Sequence, residues 1–165
     1  MENYFDLFEI PIQLKVDPST IRSRFFALSR QFHPDFFVNR SADEQQESLE
    51  RTAQLNKAWK IFQQPDELIR YVLELHGTWT AGEKYELSPD FLMEVMEINE
   101  SMMDMETGKE GPLQQQVATL QEQMTGSVVN YLSETPFLPT PEKLSALKEY
   151  YYRKKYLDRI LQGLS

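Results

Sequence analysis

The chain of 165 residues has no cysteine. That excludes disulfides, thiolate zinc sites and cysteine-ligated iron–sulfur clusters together. It has two histidines, His33 and His76, too few for a histidine-rich metal site. No apolar run approaches the roughly 18 residues a membrane-spanning helix needs. Basic side chains are scarce: 17 Lys and Arg against 26 Asp and Glu leave a formal charge of −9. That is the wrong sign for the electrostatic footprint of a nucleic-acid binder. Neither half escapes the deficit: residues 1–76 carry 9 basic and 12 acidic side chains, residues 77–165 carry 8 and 14. The start, MENYFDLFEI, lacks the basic and apolar regions of a signal peptide and the Arg-rich pattern of a transit peptide. The expected location is the bacterial cytoplasm, or the mitochondrial matrix if the chain is a processed form.

What is present is helical patterning with sharp breaks. Gly and Pro collect in HGTWTAGEKYELSP (76–89), TGKEGP (107–112) and TPFLPTP (135–141). Helices are expected over 3–10, 17–32, 41–62 and 65–77, the last closing on Gly77. Three more are expected over 88–106, 112–132 and 141–161. No strand pattern competes, since VVNYL (128–132) continues a helical stripe. Asp17 followed by Pro18, and Ser88 followed by Pro89, are helix-start signals. Ile21, Phe25, Leu28 and Phe32 form one stripe, and Leu55, Ala58, Trp59 and Phe62 the inner face of the next long helix. Leu113, Val117, Leu120, Met124 and Tyr131 make a stripe on the helix over 112–132. The expected fold is all-α, with a helical hairpin in residues 1–76, a linker at 77–87 and a three-helix bundle at 88–165.

One short run stands out at the expected tip of the hairpin: LSRQFHPDFFVNR (28–40). His33, Pro34 and Asp35 offer a base, a rigid spacer and an acid. Catalysis would need a nucleophile, and no Ser or Cys lies in a recognisable nucleophile motif. A phosphate-binding glycine loop is also missing, and further metal ligands are not obvious. Taken alone, the tripeptide reads most simply as a helix stop, because proline biases His33 out of the helical region.

Its setting changes that reading. YFDLFEI (4–10), FFALSRQFHPD (25–35) and LNKAWKIFQQPDE (55–67) together resemble the J-domain of DnaJ-type co-chaperones over about the first 70 residues. The resemblance implies docking on a DnaK-type ATPase chaperone and stimulation of ATP hydrolysis there. His33, Pro34, Asp35, Arg22, Arg24 and Arg30 would then be chaperone contacts, not catalysts. The chain departs from the family where Phe26, Ala27 and Gln31 stand at positions basic in many members.

The second half carries more apolar surface than a bundle needs. On 88–106, Phe91, Val95, Ile98, Met102 and Met105 share one stripe at 100° per residue. Leu92, Met96 and Met103 form a second, with Met93 beside it and Glu97, Glu100 and Asp104 at its flank. On 141–161, Leu147, Tyr150, Tyr151, Leu157 and Leu161 lie broadly on one side, and Tyr152, Tyr156 and Ile160 form another column. Either both extra stripes are buried against the hairpin domain, or they form an exposed surface for a client protein. The second reading is favoured, since five of the seven methionines fall between 93 and 105 and clustered Met suits an adaptable contact surface.

RQFHPDFF (30–37), LNKAWKIFQQP (55–65), LELHG (73–77), LSPDFLMEVMEINE (87–100) and YLDRI (156–160) resemble one J-protein family along the whole chain. It is HscB, the co-chaperone of iron–sulfur cluster assembly. The resemblance implies an L-shaped two-domain protein that is not an enzyme and has no cofactor, metal, nucleic-acid or membrane partner of its own. Its implied partners are the specialised DnaK-type chaperone HscA and the IscU-type scaffold protein. The implied scaffold contacts are Leu92, Met93, Met96, Glu97, Glu100, Asp104 and Tyr156. A J-protein serving a different client is the alternative.

Overall fold

The computed structural model describes residues 2–104 and 110–162. Within them lie eight α-helices, one short 3-10 turn and no strand. The helices are α1 (Tyr4–Leu7), α2 (Pro18–Phe32), α3 (Ala42–Phe62) and α4 (Pro65–Leu75), then α5 (Pro89–Met103), α6 (Glu110–Gly126), α7 (Val129–Leu132) and α8 (Pro141–Gln162). The chain divides into two compact units, Met1–Val72 with Leu132–Leu138, and Leu73–Tyr131 with Pro139–Ser165.

Local chemistry sets the helix ends of the first unit. Asn3 and Asp6 form a reciprocal capping box on α1, and Ser41 with Glu44 does the same on α3. Asp17 caps α2 by accepting from the Thr20 N–H at 3.2 Å, with Pro18 at the first helical position. At the end of α1 the Ile10 N–H reaches the Phe5 carbonyl and the Glu9 N–H the Asp6 carbonyl. Glu9 adopts φ 55° there, the left-handed position such a helix end requires. Its carboxylate also holds Arg24 at 2.7 Å. The same closure ends α4, where Thr78 N–H bonds to the Leu73 carbonyl and Gly77 takes φ 71°.

Helices α2 and α3 run antiparallel. Phe32, at the end of α2, lies beside Ser48 and Thr52, while Phe25 stacks on Trp59 at 4.3 Å. Beneath them Phe62 meets Phe5 at 5.4 Å and Phe8 at 4.9 Å. All three rings are buried with Leu14, Ile21, Leu55 and Leu68. Truncating such a core aromatic costs about 3–5 kcal/mol. Phe137 belongs to this unit too: its N–H donates to the Ile12 carbonyl at 2.7 Å and its ring is buried.

In the second unit α5, α6 and α8 pack pairwise. Phe91, Val95 and Ile98 of α5 are buried with Leu120 and Met124 of α6 and Leu147, Tyr150, Tyr151 and Leu157 of α8. Met102 is half-buried, and Met105, assigned to the same stripe, lies outside the described residues. The helix expected over 112–132 is two helices. It breaks at Ser127–Val128, where Ser127 Oγ donates back to the Met124 carbonyl at 2.8 Å. Such a bond competes with the helical ladder and follows Gly126, a weak helix former. Val128 is then fully buried, and Tyr131 starts from a new register.

Residues 77–87, read as a linker, are strapped onto α8. Lys148 Nζ donates to the Thr78 carbonyl at 2.7 Å and to Glu83 at 2.9 Å. Tyr152 donates to Glu83 at 2.8 Å, and Tyr85 donates to Glu149. The rings of Tyr85 and Tyr152 stack at 4.6 Å and 7°. The bond from Lys148 holds the Glu83 carboxyl below its ordinary range. Desolvation, followed by the bonds to Glu149 and Glu83, pushes both tyrosine hydroxyls up to about 12. A raised folded pKa means that the folded chain keeps these protons longer than the unfolded chain does. The stabilisation is therefore complete below the ordinary value of about 10 and is lost as pH rises towards 12. Thermal unfolding measured between pH 9 and 12 is expected to show a steeper loss of Tm for the parent than for Tyr85→Phe combined with Tyr152→Phe. Equal slopes would show that these hydroxyls do not hold the strap.

Candidate functional site

Pro34 has no N–H to offer α2, and it forces His33 into extended backbone, φ −61° and ψ 132°. A 3-10 turn, Pro34–Phe37, follows. The Asp35 N–H donates to His33 Nδ1 at 3.2 Å, so this ring nitrogen serves as an acceptor within the turn. One Asp35 carboxylate oxygen lies 3.6 Å from the same Nδ1. The His33 side chain is 50% exposed and that of Asp35 85%. Phe36 meets His33 edge-on at 6.3 Å and is 66% exposed, beside exposed Val38. Phe37 is half-buried.

The loop is fixed from the α3 side. Ser48 Oγ donates to the Phe32 carbonyl at 2.7 Å, and Thr52 Oγ1 donates to the same oxygen at 3.2 Å. Gln45 Nε2 donates to the carbonyls of Val38 and Arg40 at 3.2 and 3.1 Å. Sequence reasoning missed these three residues, although a signal existed. Positions 48, 52, 55, 59 and 62 form one helical stripe whose last three members are apolar. Two hydroxyl residues continuing an apolar stripe mark where the partner helix ends and its carbonyls need donors.

The structure separates the three arginines. At 100° per residue Arg22, Phe26 and Arg30 share a solvent-facing column of α2. The Arg22 guanidinium lies 5.7 Å from the centre of the Phe26 ring, and Phe26 is 46% exposed. Arg24 is on the other flank, held by Glu9. The exposed face of α2 is thus mixed aromatic and basic rather than a run of three cations.

On α5 the second apolar stripe is open. Met93, Met96 and Met103 are 61%, 56% and 74% exposed, and Leu92 is half-buried. Glu97, Glu100 and Asp104 are exposed and line a cleft shared with Pro112, Leu113 and Gln116 of α6. The second stripe of α8 is not open in the same way. Tyr152 is covered by Tyr85. Tyr156 is half-buried, 6.4 Å from the Phe91 ring, with the Arg159 guanidinium 5.1 Å above it. Tyr156, on α8, is thus less open than the three methionines of α5.

These features have close relatives. A model of the HscB C-terminal oligomerisation domain matches residues 87–165. The co-chaperone protein HscB homolog of Vibrio cholerae serotype O1 is 30% identical over 165 residues, covering 96% of each chain. The chain belongs to the HscB co-chaperone family. The Vibrio atlanticus HscB homolog is 30% identical over 152 residues, 88% of this chain and 89% of that one. The crystal structure of human co-chaperone HscB superposes with a TM-score of 0.78 at 27% identity, covering 99% of this chain and 81% of that one. Chaperone HscB from Vibrio cholerae gives 0.64 at 28% identity, covering 99% and 100%. As expected for an HscB, the chain is all-α, and its exposed His-Pro-Asp segment ends the second helix.

Ser48 is 2% exposed and its single hydroxyl is committed to the loop. Ser48→Ala is expected to cost about 1 kcal/mol in urea unfolding and to speed amide exchange at Phe36 and Arg40. Unchanged exchange there would show that Thr52 and Gln45 hold the loop without it.

Proposed function

We propose that this co-chaperone joins two partners: the specialised DnaK-type chaperone HscA, engaged by the His-Pro-Asp loop and α2, and the IscU-type scaffold protein, held on the exposed face of α5. ATP is hydrolysed on the chaperone, and this chain raises that rate. His33, Pro34 and Asp35 supply contact at a fixed place, while Arg22, Phe26 and Arg30 supply the flanking surface. Holding the scaffold on the same chain raises its effective concentration at the chaperone. The bacterial cytoplasm is the setting this role suggests.

The observation that carries the reading is the His-Pro-Asp loop itself. The His33 and Asp35 side chains are at least half exposed, while the backbone on either side of the tripeptide is fastened from α3 by Ser48, Thr52 and Gln45. Gln45 reaches past the helix end to the carbonyls of Val38 and Arg40, which a helix stop alone does not require. The apolar column on α5, flanked by carboxylates, supports the second half of the proposal.

Steady-state ATPase measured with chaperone and scaffold should fall to the rate without co-chaperone in His33→Gln, while scaffold affinity in titration calorimetry stays unchanged. Full stimulation by His33→Gln would overturn the chaperone assignment. Leu92→Ala with Met93→Ala is expected to weaken scaffold binding roughly tenfold or more. Because Met93 is exposed and Leu92 only half-buried, stability should change by no more than about 1 kcal/mol. Unchanged affinity would point to a different client.

A further inference from the structure

The α5 surface has a chemical property that its docking role does not require. Three of the four apolar side chains of its open face, Met93, Met96 and Met103 beside Leu92, are thioethers. Phe91, Val95, Ile98 and half-buried Met102 face the bundle. Met93, Met96 and Met103 stand outside that stripe and are each more than half exposed. In α6, by contrast, Met124 is 5% exposed, inside the bundle. One unit of the fold thus holds both readily reached and shielded methionines.

Methionine sulfur is oxidised by hydroperoxides to a polar sulfoxide, and susceptibility follows access. We propose that Met93, Met96 and Met103 are a methionine-sulfoxide modification site, and that hydroperoxide acting there releases the protein docked on α5. In the step, the terminal peroxide oxygen forms a bond to Sδ as the O–O bond breaks. Sulfur gives up two electrons and the peroxide takes them. The proton of the transferred oxygen goes to the leaving oxygen, which departs as water or an alcohol. The fold tolerates the product, because a sulfoxide at these three positions stays in water. A docked partner does not tolerate it. The S=O dipole needs a donor that an apolar contact lacks, and an unpaired polar group in such a contact costs affinity. Reduction of the sulfoxide restores the thioether, so the change is reversible.

This inference rests on the proposed scaffold docking, and its test separates the two. The full chain is treated with dilute hydrogen peroxide, and oxidation at each methionine is followed by peptide mass spectrometry. Circular dichroism and Tm are recorded alongside, and scaffold affinity is measured by calorimetry before and after. Met93, Met96 and Met103 are expected to react well ahead of Met124, with the fold intact and scaffold affinity lowered about tenfold. Methionine sulfoxide reductases should restore that affinity. In Met93→Leu/Met96→Leu/Met103→Leu, whatever its starting affinity, peroxide should produce no further loss. The site is overturned if the three methionines react no faster than Met124, if the sulfoxide form binds the scaffold unchanged, or if the leucine variant still responds to peroxide. Unchanged scaffold binding by Leu92→Ala/Met93→Ala would instead overturn the docking reading and the release with it. That failure is recognised because the order of oxidation in the mass spectra would still hold.

Discussion

The Phe32 carbonyl is the point on which the display of the site depends. It lies in the last turn of α2, where helical carbonyls run out of partners. Pro34 makes the shortage permanent, since it has no N–H and excludes His33 from the helix. Two hydroxyls of α3 fill the gap, and the consequences are local and geometric. His33 is left extended at a fixed place, its Nδ1 takes the Asp35 N–H, and Gln45 collects the carbonyls of Val38 and Arg40. The tripeptide supplies the groups that point outward, and α3 supplies the bonds that keep them there. A chain with His-Pro-Asp but no donors at positions 48 and 52 would have the motif without the fixed display.

What was legible in the sequence follows from whether the cause is local. Caps at Asp17 and Ser88, the stop at Gly77 and the inner faces of α2, α3 and α5 are all written within a few residues of where they act. The break after Gly126 was written too, but the apolar residues beyond it keep an approximate helical period, and periodicity masked the interruption. The strap at 77–87 was illegible for a different reason. Its Gly and Thr content reads as linker, while its partners Lys148, Glu149 and Tyr152 lie more than sixty residues away. The same distance explains why Tyr152 and Tyr156 read as an open stripe. The family resemblance grouped Arg24 with Arg22 and Arg30, yet its helical angle separates it, and Glu9 gives it a different task.

The two stripes of α5 need one explanation between them. A helix in a three-helix bundle covers one apolar column, and α5 spends Phe91, Val95 and Ile98 on it. A second column costs solubility unless something occupies it. Its flank narrows what that occupant is. Glu97, Glu100 and Asp104 fall almost opposite the core stripe at 100° per residue, beside Met93 and next to the Leu92, Met96 and Met103 column. Two copies of this chain meeting face to face there would bring both sets of carboxylates together, on a protein already at −9. Like charges juxtaposed in this way oppose association. A partner offering an apolar centre with basic side chains around it meets no such opposition and gains from the pairing. The acidic flank therefore does two things at once. It opposes pairing of the methionine surface with itself by like charge, and on the proposed docking it favours a partner with a basic rim.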